Sequence, residues 1–150
     1  MLDKIPFPQA NDFEKIVCLM SLTNEKDLTD FDFMGAFLGG ISERQVSYYL
    51  SAAMYLGLID CDKQFTELGN IIRCMDDYLR IIELIRVVIS DPIIGKAYIS
   101  QKVLGLCLST EDIADMIREY YPDYTQPIYI RRAQTVQSWL TWIEKHVSPQ

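Results

Sequence analysis

Arginine, glutamine, serine and tyrosine gather at helical spacing in two stretches, Arg44-Gln45-Val46-Ser47-Tyr48 and Arg131-Arg132-Ala133-Gln134-Thr135-Val136-Gln137-Ser138. A guanidinium or a carboxamide can form two parallel hydrogen bonds to a planar edge such as that of guanine or adenine. Hydroxyl, phenol and guanidinium groups all donate to phosphate oxygens. Side chains of this kind suit the gripping of a polyanion with planar faces better than they suit bond-making. Lys63, between Asp62 and Gln64, adds a cation in a polar turn.

The groups that would break or form bonds are not arranged for it. The single histidine, His146, lies near the C-terminal end, where a Ser-His-Asp or Cys-His relay is poorly pre-organised. A magnesium-dependent nuclease needs an acidic residue, a spacer and then an acid-x-Lys strand; Asp60-Cys61-Asp62-Lys63 has the wrong spacing, and no such strand follows Asp123. Gly35, Gly39 and Gly40 lack the lysine of a phosphate-binding loop. Asp76-Asp77 and Glu111-Asp112 fall at expected helix starts, where capping and the helix dipole account for them. Cys18, Cys61, Cys74 and Cys107 form no C-x-x-C pair, and their aliphatic neighbours predict buried free thiols rather than zinc ligands. The expectation is a protein with no catalytic residues, no metal and no other cofactor.

Elements that could position the two polar stretches are helical. The residues Phe13, Ile16, Val17 and Met20 mark a first amphipathic helix. A second runs through Leu28, Phe31, Met34 and Phe37 to a stop at Gly39-Gly40. Ser42-Glu43-Arg44-Gln45 reads as a capping box opening a third, with Val46, Tyr49, Leu50 and Ala53 facing inward and Arg44, Ser47 and Tyr48 facing outward. The period then changes: Leu58-Ile59-Asp60-Cys61 and Gln64-Phe65-Thr66 predict a short β-hairpin with Lys63 at its tip, after which Thr66 caps a further helix. In the second half, a strongly apolar helix spans residues 76–90, Asp91-Pro92 opens the next, and Ser109-Thr110-Glu111-Asp112 caps another that Pro122 ends. A last helix over residues 130–146 buries Ala133, Val136, Leu140, Ile143 and Val147, with Trp139 and Trp142 as core or interface residues. Its outward set is Arg131 or Arg132, Gln134, Thr135, Gln137, Ser138 and Thr141.

This order is that of a helix-turn-helix with an appended wing, met twice. The fold expected is mainly α: two winged-helix-like units in tandem, residues 1–75 and 76–150, with a short β-hairpin wing in the first. At 49% hydrophobic and 23% charged, the chain has apolar surface enough for a core. No apolar run reaches the roughly 18–20 residues of a membrane span. The first residues show neither a basic n-region nor an apolar h-region, so a cytoplasmic protein is expected. A net charge of −7 counts against binding nucleic acid by charge alone. The charge is uneven, however. Acids crowd residues 12–32 and 111–123, whereas from Tyr124 onward Arg131, Arg132 and Lys145 stand against Glu144 alone.

The string from Ser42 through Arg44-Gln45, Tyr48-Tyr49, Ala52-Ala53 and Leu56-Gly57-Leu58, then Phe65-Thr66-Glu67-Leu68-Gly69, resembles a module of some type II restriction endonucleases and restriction-associated proteins. So does the run Arg131-Arg132-Ala133-Gln134-Thr135-Val136-Gln137-Ser138-Trp139-Leu140-Thr141-Trp142-Ile143. The resemblance implies paired winged helices that recognise DNA through the faces around Arg44 and Arg132. It departs from the pattern in its acidic charge and in lacking the nuclease domain that usually accompanies the module. The expectation is a non-catalytic, restriction-associated or transcription-regulator-like protein that binds double-stranded DNA through Arg44, Gln45, Ser47, Tyr48, Lys63, Arg131, Arg132, Gln134, Thr135 and Ser138. A homodimer or a larger restriction-system partner would add affinity, and no membrane is involved. The alternative is a winged-helix module for protein–protein contact or dimerisation without DNA.

Overall fold

The computed structural model describes residues 4–147 and is mainly α-helical. In chain order the helices are α1 (Phe13–Leu19), α2 (Phe31–Phe37), α3 (Glu43–Tyr55), α4 (Glu67–Arg73), α5 (Asp77–Ile89), α6 (Pro92–Tyr98), α7 (Thr110–Tyr120) and α8 (Gln126–Val147). A 3-10 turn, Glu25–Thr29, precedes α2, and a π-helical turn, Ile99–Val103, prolongs α6. The chain forms two compact units. One comprises the residues up to Ala10 with Glu14–Leu84, the other Asn11–Phe13 with the chain from Ile85 onward, so that the division falls inside α5.

In the first unit the helix boundaries follow local hydrogen bonding. Asn24 caps the 3-10 turn and Asp30 accepts from Phe33 N–H to start α2, so the apolar run through Leu28 and Met34, expected as one helix, is two elements. Gly39 and Gly40 both take positive φ, +100° and +81°, which lets the chain reverse from α2 into α3. The capping box at Ser42 and Gln45 is formed in full. Val46, Tyr49, Leu50 and Ala53 are buried, and α2 packs against α3.

The expected β-hairpin is corrected to a single antiparallel bridge between Ile59 and Phe65, and no strand is present among the described residues. Two constraints shorten it. The Asp60 carboxylate accepts from Asp62 N–H and Gln64 N–H, curling the turn tightly, with Lys63 in the left-handed region at φ 58°. At the other end Thr66 is already committed: its hydroxyl donates to Gly57 carbonyl (2.5 Å) and accepts from Gly69 N–H (3.0 Å), capping α4. No residues remain to lengthen the ladder.

In the second unit Asp91 accepts from Ile93 and Ile94 N–H with Pro92 in the first turn of α6, and Ser109 and Asp112 form a capping box at α7. The last helix begins four residues earlier than the apolar pattern suggests, because Pro127 fits the first turn, where its missing N–H is not needed. α7 packs along α8, and Ile113, Ile117, Ala133, Val136, Trp139, Leu140 and Ile143 are buried; Val147, expected in that stripe, is exposed. The cysteines are also corrected: Cys61, Cys74 and Cys107 are exposed and Cys18 is partly buried.

Gly69 tests how the bridge and α4 are joined. A Cβ there would lie 2.0 Å from the Leu58 carbonyl oxygen, a backbone atom that cannot swing aside. Helix propensity alone would make Gly69→Ala stabilising by about 1 kcal/mol, whereas overpacking costs about 1–3 kcal/mol. We expect the clash to win and the urea midpoint to fall; an unchanged or higher midpoint would show that α4 is free to move off the turn.

Candidate nucleic-acid interface

Among the ten residues expected at a polyanion surface, those on α3 divide into exposed groups and groups already in use. Arg44 and Ser47 are exposed on the outer face, and Tyr48 beside them is partly buried. Arg44 Nε donates to the Tyr48 hydroxyl at 3.0 Å, and its guanidinium lies 5.6 Å from the ring centroid. The pair holds Arg44 along the helix while leaving it at the surface. Gln45 is different. Its carboxamide oxygen accepts from Ser42 N–H (3.3 Å), so the side chain is turned back onto the helix start and does not reach outward. Lys63 is partly buried, with its ammonium 4.6 Å from the Phe31 ring centroid. The turn that carries it also holds Asp60 and Asp62, which weakens any attraction for phosphate.

On α8 the outward face differs from the expected one. Thr135 is corrected to a buried position, 1% exposed, where its hydroxyl donates to the Asn11 carboxamide oxygen at 2.5 Å. Arg132 is corrected as well. Its guanidinium stacks over Tyr124, 4.4 Å from the centroid, and donates to the Tyr124 hydroxyl at 2.8 Å, and its Nε is buried. It belongs to an aromatic cluster at the α7–α8 junction. Tyr121 and Tyr124 stack at 5.3 Å, and the buried Tyr129 hydroxyl donates to the Tyr121 carbonyl and accepts from Tyr124 N–H. Arg118 covers the Tyr129 ring at 4.6 Å. These contacts tie Arg132 to the turn between the two helices.

The line left facing solvent is Arg131, Gln134, Ser138, Thr141 and Lys145, spaced at three and four residues. Four of the five are exposed and Ser138 is partly so. None is acidic. At 1.5 Å per residue the line is about 21 Å long. Glu144, the one carboxylate of α8, lies beside it and is paired with Lys102 at 2.7 Å. Thr141 belongs to the outward set expected, whereas Lys145 lies outside it and is placed in the row by the helical phase. Trp139 and Trp142 are buried at 0% and 6% exposure against Phe13, with centroid distances of 5.0 and 4.3 Å. These rings fix the rotation of α8 about its axis. No group of three or more His, Cys, Asp or Glu side chains is placed to hold a metal ion among the described residues. No helix is long and apolar enough to cross a membrane among the same residues.

The tyrosine cluster has a pH signature. Burial pushes the Tyr121 phenol up to about 12, with Tyr124 and Asp91 acting in the same direction and Arg132 opposing them. Folding raises this pKa, so the stabilisation from the neutral phenol is complete below about pH 10 and is lost as the pH rises through about 12. A spectrophotometric titration should contain a late-ionising phenol, and Tyr121→Phe should remove that step. Simultaneous ionisation of all the phenols at ordinary pH would contradict the packing described.

Neither a curated protein nor a solved structure matches the chain. A family model described as "Domain of unknown function (DUF7226)" matches residues 15–148, nearly the whole length. The chain thus belongs to the DUF7226 family.

Proposed function

We propose that this protein is a non-catalytic DNA-binding protein whose main contact surface is the outer line of α8. The observation that carries the reading is a straight row of cationic, amide and hydroxyl groups without a carboxylate, on an acidic protein. Arg131 and Lys145 at its ends are placed to meet phosphates, and Gln134, Ser138 and Thr141 between them can donate to phosphate oxygens or to base edges. The helix pairs α2–α3 and α7–α8 are read as two winged-helix-like units in which α3 and α8 take the recognition position, and the turn at residues 59–65 is a vestigial wing. In the first unit Arg44, Ser47 and Tyr48 make a secondary contact. A restriction-associated or regulator-like role in the cytoplasm fits this reading. A protein-interaction role without DNA is the alternative, favoured by the exposed apolar residues that follow α6.

Titration of the protein onto duplex DNA across a salt series separates the two. Each lost phosphate contact should lower the slope of log K against log salt by about 1. We expect Arg131→Ala and Lys145→Ala each to flatten the slope by that amount and Arg44→Ala to do less. Arg132→Ala should instead lower stability, by about 1–2 kcal/mol from the lost hydrogen bond and ring contact. Absence of binding at low salt, or a slope indifferent to Arg131 and Lys145, would defeat the proposal.

A further inference from the structure

The segment after α6 is the most apolar surface of the second unit. Ile99 is 50% exposed, Val103 68%, Leu104 64% and Leu106 54%. The backbone beneath them is ordered by hydrogen bonds. Leu104 N–H donates to Ile99 carbonyl at 3.0 Å and Leu106 N–H to Ser100 carbonyl at 2.8 Å, while Gly105 turns the chain at φ 68°. Lys102 ties the segment to Glu144 of α8. The π-helical turn therefore holds a ridge of aliphatic side chains out in solvent. Beside the ridge is an open groove of about 500 Å³ lined by Ile89, Pro92, Gly95, Ile99 and Leu104, with Asp91 and Lys96 among its polar lining.

From this we infer that residues 99–106 and the adjoining groove form a two-fold interface between two copies of the chain. A ridge next to a hollow of matching chemistry is self-complementary: under a two-fold rotation each copy's ridge enters the other's groove. Charge favours the same occupant. Residues 96–110 contain no carboxylate, so two chains of net charge −7 can meet here without pressing acid on acid. The area fits a modest interface. The four ridge side chains present on the order of 400 Å² of apolar surface, in the range of functional patches on monomers. Pro92 and Cys107 are exposed as well and extend the patch, which is over half of the ~800 Å² that a standard interface buries per partner.

Sedimentation equilibrium of the full chain without DNA tests this. At tens of micromolar the species should have twice the 17.4 kDa chain mass. Leu104→Glu and Val103→Asp should weaken association by at least ~100-fold, as expected for charges placed at an apolar interface centre, with an unchanged helical circular dichroism spectrum. Leu106→Gln provides a milder variant should either of these lose helix. Tyr78→Glu, at the 75% exposed Tyr78 of α5, should leave the dimer intact. A monomeric wild type, whether or not it binds phosphatidylcholine vesicles, overturns the inference. So does a folded Leu104→Glu protein that remains dimeric, or dissociation by Tyr78→Glu.

Discussion

Loops and helix ends in the first unit are held by cations that bind carbonyl oxygens. Arg73 of α4 donates to Leu22 carbonyl at 3.1 and 2.7 Å and to Thr23 carbonyl at 3.1 Å, while its guanidinium lies 3.9 Å from the Phe65 ring centroid. Arg80 of α5, only 11% exposed, donates to the carbonyls of Ile72, Arg73 and Met75 at the end of α4. Lys15 of α1 donates to the Leu38 carbonyl at the end of α2. The last turns of a helix leave carbonyls with no intrahelical partner and carry the negative end of the dipole, so a guanidinium there satisfies several acceptors and a charge at once. Short helices such as α1, α2 and α4, seven residues each, are marginal alone and depend on such tethers and on the core.

That use of arginine and lysine decides what remains for a ligand. With 21 acidic residues against 14 lysines and arginines, the common outcome would be cations paired with carboxylates at the surface. Here Arg73, Arg80 and Lys15 donate to backbone carbonyls and Lys63 and Arg132 lie against aromatic rings, while Arg80, Lys102 and Arg118 also meet Asp77, Glu144 and Asp115. The outer line of α8 carries no carboxylate, so a polyanion laid along it, as the proposed DNA contact requires, would meet Arg131 and Lys145 without an acid in the row.

Much of the helical order is legible in the sequence, because capping is local chemistry. Ser42 with Gln45, Ser109 with Asp112, and Asp91 before Pro92 all mark helix starts within four residues, and the structure places helices at each. The side of α8 that faces water was less legible. Thr135 is polar, but it is buried by a bond to Asn11, 124 residues away, and no periodicity reports a partner so distant. Arg132 looks like a ligand-binding arginine beside Arg131, and only Tyr124, supplied by the preceding turn, reveals it as a brace. Gln45 could not serve both as cap and as reader, and the cap, made within one turn, prevails. The hairpin is shorter than expected for a related reason. Residues 58–61 and 64–66 do meet across the turn, yet Asp60 and Thr66 use their side chains to close the turn and start α4.

The two surfaces of the second unit follow from how α8 is buried. Eight of its residues are buried, including both tryptophans and the polar Thr135, so it is a central helix that keeps a single narrow outer edge. A helix locked by Phe13, Trp139 and Trp142 cannot rotate to hide or expose other side chains, and the row from Arg131 to Lys145 is therefore fixed in direction before any ligand arrives. Glu144 links this edge to the apolar ridge, since its ion pair with Lys102 anchors residues 99–103 to the same helix. If the ridge joins two copies, the same two-fold repeats the α8 row, and a two-fold array of donors favours a duplex site with matching two-fold symmetry over a single half-site.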